Sequence, residues 1–154
     1  MNRKLKWFIL GAVIAGTLDI SYAILFSYFR SGVPPSRILQ SVASGLLGRD
    51  SYSGGTKTAA LGLGLHFLIA FILTAVYFLL ARWLPILVRY PLISGVAFGI
   101  VAYAVMNKVV IPLSRVPPRA TGPAMVVVIT GILVHMFFIG VPIALACRRA
   151  QVAS

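Results

Sequence analysis

Four long apolar runs dominate the chain: Trp7 to Phe29, Ala59 to Ala81, Pro91 to Leu113 and Pro123 to Cys147. Each reaches the roughly 20 residues a helix needs to cross a hydrocarbon core of about 30 Å. None alternates apolar and polar positions with a period of two, as the strands of a membrane β-barrel do. Backbone polar groups in lipid must be satisfied within their own segment, so the runs predict helices. The third run is the least clean, because Asn107 and Lys108 interrupt it. The expected fold is all-α and polytopic, a single membrane domain spanning residues 1–154.

A shorter pattern lies between the first two runs. In SRILQSVASGLLG, residues 36–48, the positions Ile38, Leu39, Val42, Leu46 and Leu47 recur at helical spacing. Ser36 is a candidate N-cap and Gly48 a candidate stop. About 12 residues cannot span a bilayer, so the segment predicts an amphipathic helix that lies in the interface or re-enters the membrane. Gly54-Gly55 then form a corner before the second long run.

Composition agrees with the pattern. The chain is 60% hydrophobic and 10% charged, against about 45–50% and about 25% in soluble domains. MNRKLK resembles the positive start of a signal peptide, but the following apolar run exceeds a typical h-region of about 7–15 residues and contains Asp19, which predicts a retained helix. The net charge of +12 comes from residues scattered through short loops. That distribution predicts contact with anionic lipid headgroups and no nucleic acid, at about 1 kcal/mol per charge near the surface. With the N-terminus inside, the inner face carries Arg3, Lys4, Lys6, Arg82, Arg89, Arg148 and Arg149, the expected headgroup contacts. The outer face carries Arg30, Arg37, Arg49, Lys57, Lys108, Arg115 and Arg119, an equal number. The cluster abutting the first run and the outer Asp50 tip the expectation to both termini inside.

The chain has two acidic side chains, and one of them, Asp19, stands inside an apolar run. At a rise of about 1.5 Å per residue, Asp19 falls about 15 Å below the outer end of its helix, His66 about 10 Å, Asn107 about 9 Å and His135 about 18 Å. Each run therefore brings one strongly polar side chain near the midplane or into the outer half. An ionised Asp at that depth costs about 2.5–3.5 kcal/mol even on lenient scales, so such residues face the bundle interior and find partners. His66 and His135 are the available partners, with Tyr22 and Tyr103 as hydroxyl donors.

Three functional classes fit this cluster. It is structural glue in an accessory or assembly subunit of a larger complex, with interhelical bonds worth about 0.6–2 kcal/mol. Alternatively it relays protons or binds a cation in a small transporter that works as a homo-oligomer. The third class is a metal or haem b site, with His66, His135 and Asp19 as ligands. The estimated depths of the two histidines differ by about 8 Å, which disfavours a haem between them. No catalytic motif is present, so an enzyme is not expected: there is no G-x-S-x-G or H-E-x-x-H, and GGTKT lacks the spacing of a phosphate loop. Cys147, the one cysteine, reads as packing. Gly95-x-x-x-Gly99 predicts close helix contact within the chain, and Pro142 a kink below His135. VPP at 33–35 and 116–118, with Gly-x-x-x-His at 62–66 and 131–135, suggests two repeated hairpins.

GTLDI at 16–20, SRILQSVASGLLG at 36–48, Gly54-Gly55 followed by ALGLGLHFLIA, VMN at 105–107 and IPLS at 111–114 together resemble a group of small proteobacterial inner-membrane proteins, loosely gathered as YagU-like. The resemblance covers nearly the whole chain. It implies a four-helix protein of the bacterial inner membrane and carries no activity or site residues with it.

Overall fold

The computed structural model describes residues 2–118 and 122–151; Arg119 of the charge tally lies outside them. Helix α1, Arg3–Ser31, opens on Asn2, whose side-chain oxygen accepts from the Lys4 amide at 3.0 Å. It ends at Gly32, where φ of 65° lets the chain turn left-handed and return its amide to the Tyr28 carbonyl. Helix α2 follows at Pro35–Leu47 and gives way to a 3₁₀ turn over Gly48–Tyr52. Ser36 is not its cap: Pro34 holds the cap position and Pro35 the first helical position, where a missing N–H costs nothing, and the helix starts two residues earlier than the capping argument places it. Gly48, at φ 63°, ends it.

Helix α3 runs Gly55–Trp83, α4 is the single turn Ile86–Arg89, α5 spans Pro91–Leu113 and α6 spans Met125–Gln151. Four of these, α1, α3, α5 and α6, are long and apolar enough to cross a membrane. Among the described residues the chain is helical with no strand.

Helix α1 packs against both α3 and α6, and α5 packs chiefly on α6. Helices α3 and α5 lie opposite each other and meet at one end, where the Tyr77 ring stands edge-on to Phe98 at 5.0 Å. That end is a dry core of Tyr77, Ile143, Ala144 and Cys147 with Phe98, Leu87 and Val88 packed on it. The Tyr77 hydroxyl donates to the Leu87 carbonyl at 3.0 Å and so pins α4 beneath the bundle. Cys147 is buried packing here.

Small residues set how closely the helices approach. A Cβ on Gly62 would collide with the Leu39 carbonyl of α2, so Gly62 seats α2 on α3. Gly95 and Gly99 of α5 lie against the backbone of α6 at Gly140 and His135. The GxxxG pair is thus used within the chain.

Both α5 and α6 widen into a π turn, over Met106–Val110 and His135–Gly140. The Ile111 amide donates to the Met106 carbonyl and the Val141 amide to the Met136 carbonyl, each five residues back. The next residue in each case is a proline, Pro112 or Pro142. Proline has no N–H and its ring collides with the carbonyl four residues earlier; slipping to the wider turn relieves the collision. The kink expected from Pro142 takes this form, and Pro112 produces the same device in α5. The carbonyls five residues before the prolines, at Asn107 and Phe137, thereby lose their ordinary helical donors. The shared device lies in α5 and α6, and the two VPP segments differ: the first opens α2, whereas the second has no helix in its described residues.

Candidate functional site

The dry core fills only the half of the bundle where α3 and α5 meet. In the other half they part around a cavity of about 220 Å³. Asp19 of α1, His66 of α3, Asn107 of α5 and His135 of α6 all line it. Its walls are otherwise apolar, with Leu73 and Ile139 toward the core and Val42 of α2 toward the opposite end. Helix α2 crosses that end: it packs on α3 and contacts α1, and its Gly45 carbonyl accepts from the Arg115 amide just after α5 at 3.0 Å. The cavity therefore has a floor of packed side chains and a roof made by one short helix.

The two histidines stand at the same depth. His66 is the twelfth residue of Gly55–Trp83 and His135 the eleventh of Met125–Gln151, so they differ by about 1.5 Å. The expected mismatch of about 8 Å is corrected by where the helices begin: α3 starts at Gly55, whose φ of 58° makes the corner, and Pro123 stays outside α6.

His66 Nε2 lies 2.8 Å from the Gly16 carbonyl of α1, and His66 Nδ1 lies 4.0 Å from Asp19 Oδ2. A carbonyl only accepts, so Nε2 carries the hydrogen and Nδ1 is the nitrogen turned to the carboxyl. An ionised Asp19 facing a bare Nδ1 would set two acceptors against each other. One shared proton removes the conflict, held on Nδ1 as an ion pair or on the carboxyl as a donor. At 4.0 Å the two atoms are beyond direct hydrogen-bond reach. The side chains are 12% and 19% exposed, so the pair is largely withdrawn from solvent.

His135 Nδ1 donates to the Gly131 carbonyl one turn back at 2.9 Å, which leaves its Nε2 free. The Tyr103 ring stands edge-on to His135 at 5.2 Å and holds its plane. Both imidazoles lie within electrostatic range of the Asp19 carboxyl. Asn107 sits at the exposed rim; its amide donates to the Tyr103 carbonyl of its own helix at 2.9 Å.

The two tyrosines do not supply hydroxyls to Asp19. The Tyr22 ring stacks on Phe26 at 5.3 Å and meets Phe138 edge-on. That hydroxyl is buried with no hydrogen-bond partner among the described residues. Tyr103 serves through its ring, packed over Gly131.

The metal candidates fare differently. Among the described residues no three His, Cys, Asp or Glu side chains converge to hold an ion, so Asp19, His66 and His135 do not form a two-His-one-carboxylate site. The cavity is also smaller than the about 300–1,000 Å³ of typical small-molecule sites, too small for a haem. Sequence reasoning missed the roof contact of Val42, the accepting Gly16 carbonyl and Pro112, of which only the proline left a readable signal.

No family model matches the chain, and no curated protein or solved structure matches it either.

Proposed function

We propose that the chain is a small membrane protein that handles protons through the Asp19, His66 and His135 cavity. The observation that carries this reading is the Asp19–His66 geometry: a carboxyl and an imidazole nitrogen 4.0 Å apart, inside the span of four apolar helices, where the two groups can exchange one proton. Intramembrane acid–histidine sets are the usual elements of proton relays, and histidine exchanges protons near neutral pH. His135 Nε2 is a second acceptor for the same proton on the facing helix. Asn107 at the rim and the roof helix α2 form the entry side. The Leu73 and Ile139 floor closes the other side, so passage requires it to open, and the π turn and Pro142 of α6 lie beside Ile139 to permit bending.

This reading extends to a bacterial inner membrane with both termini cytoplasmic, supported by Arg3, Lys4 and Lys6 beside α1 and by Asp50 at the opposite end. A homo-oligomer supplies the additional helices that a transport path commonly uses.

Vesicles containing the purified protein and an entrapped pH dye test the proposal. Under a potassium diffusion potential, the wild type acidifies or alkalinises the lumen and Asp19→Asn, retaining its helical spectrum, does not. Flux equal to that of protein-free vesicles would overturn it. A second reading, an anchor within a larger membrane complex, is favoured by the His66 donation to the Gly16 carbonyl, which ties α3 to α1. It predicts no flux in either protein and lower thermal stability in Asp19→Asn.

A further inference from the structure

The end of the bundle away from α2 holds two adjoining grooves. The first, about 670 Å³, runs between α1, α3 and α6, with Lys4 and Arg82 at its mouth and Phe8, Phe78 and Leu79 along its wall. The second, about 510 Å³, lies between α3, α4 and α6 and is lined by Arg82, Arg89 and Arg148. Arg82 belongs to both. Each volume suits a headgroup with its first methylenes.

Among the described residues no acidic side chain faces these cations. The two acidic side chains of the chain are Asp19, at the midplane cavity, and Asp50, in the 3₁₀ turn at the opposite end. Arg89 rests on the Tyr90 ring at 5.4 Å, and nearby Arg149 on the Trp7 ring at 5.6 Å. The side chains of Lys4, Arg82 and Arg148 pair with no protein group among the described residues. Like charges held together at a membrane surface repel unless an anion lies among them, and basic pockets between spanning helices recruit phospholipid headgroups for this reason. A guanidinium offers donors on two edges and so suits two phosphates, one in each groove. The aromatic and aliphatic wall of the first groove is of the kind that acyl chains cover.

We propose that this end of the protein binds one lipid carrying two phosphates, of the diphosphatidylglycerol type, straddling Arg82. The proposal stands apart from proton handling and does not depend on it.

Native mass spectrometry of the detergent-purified protein provides the test, with diphosphatidylglycerol, phosphatidylglycerol, phosphatidylcholine and inorganic pyrophosphate as probes. The expected result is a one-to-one adduct with the two-phosphate lipid that outcompetes phosphatidylglycerol, and none with phosphatidylcholine. Pyrophosphate displacing the lipid would show the headgroup alone to be the ligand and would overturn the lipid assignment. Arg82→Gln should weaken binding about fivefold and Arg82→Gln/Arg148→Gln about 25-fold. Arg115→Gln, the same charge loss at the opposite end, should leave it unchanged. Equal binding of one- and two-phosphate lipids, or equal losses in Arg82→Gln and Arg115→Gln, would refute the site. The wild-type competition decides the matter even if a variant fails to fold.

Discussion

Replacing Asp19 by Asn and His66 by Gln, singly and together, isolates the pair at the centre of the cavity. Gln keeps an N–H that can reach the Gly16 carbonyl, so His66→Gln removes the Nδ1 function and spares the α1–α3 tie. Two unit charges 4.0 Å apart attract by about 4 kcal/mol at an effective dielectric of about 20. Desolvation of both groups opposes this, and measured interhelical polar pairs in membranes average about 0.6 and reach about 1.7 kcal/mol. The expected coupling energy is therefore about 1–2 kcal/mol, above the about 0.3–0.5 kcal/mol within which unrelated sites add. Reversible unfolding in mixed lipid–detergent micelles, titrated with a denaturing detergent and followed by circular dichroism, supplies the four free energies. Asp19→Asn paired with Arg115→Gln serves as the control and should be additive. A coupling below about 0.3 kcal/mol between Asp19 and His66 would refute the shared proton.

Gly62→Ala places a methyl on the Leu39 carbonyl and should destabilise the docking of α2 by about 1–3 kcal/mol, visible as faster proteolysis in the 32–54 segment. Tyr77→Phe removes the bond to Leu87 and should lower unfolding free energy by about 0.5–1.5 kcal/mol; no change would remove α4 from the closed end. Tyr22→Phe deletes a buried hydroxyl with no hydrogen-bond partner among the described residues and should leave the melting temperature equal or higher, whereas a fall would reveal a missed bond. Pro142→Ala lets α6 return to four-residue bonding, so its thermal stability should hold while proton flux drops; unchanged flux would show that the π turn is not needed.

Much of the architecture was legible along the chain because lipid imposes one rule. A run of about 20 apolar residues must satisfy its backbone internally, and that rule points to helices at all four runs without knowledge of their neighbours. The amphipathic spacing of Ile38, Leu39, Val42 and Leu46 marked α2 in the same way. Depth could be estimated too, and it singled out Asp19, His66, Asn107 and His135 as polar groups near the midplane or in the outer half of their helices.

What the sequence could not specify was rotation, register and exact helix starts. A shift of a few residues at Gly55 and Met125 moved the two histidines from about 8 Å apart in depth to nearly level. Only helix packing decided that His66 Nε2 faces Gly16 and that Nδ1 is left for Asp19. The tyrosines show the same limit: Tyr22 is three residues from Asp19, yet its ring packs on Phe26 and Phe138. Pro112 and Pro142 were plain in the sequence, but whether each would break, kink or widen its helix depended on the neighbour. Gly95 and Gly99 allow α5 to lie against the widened turn of α6, and close packing of backbone on backbone is a property of the assembled bundle, not of any one segment.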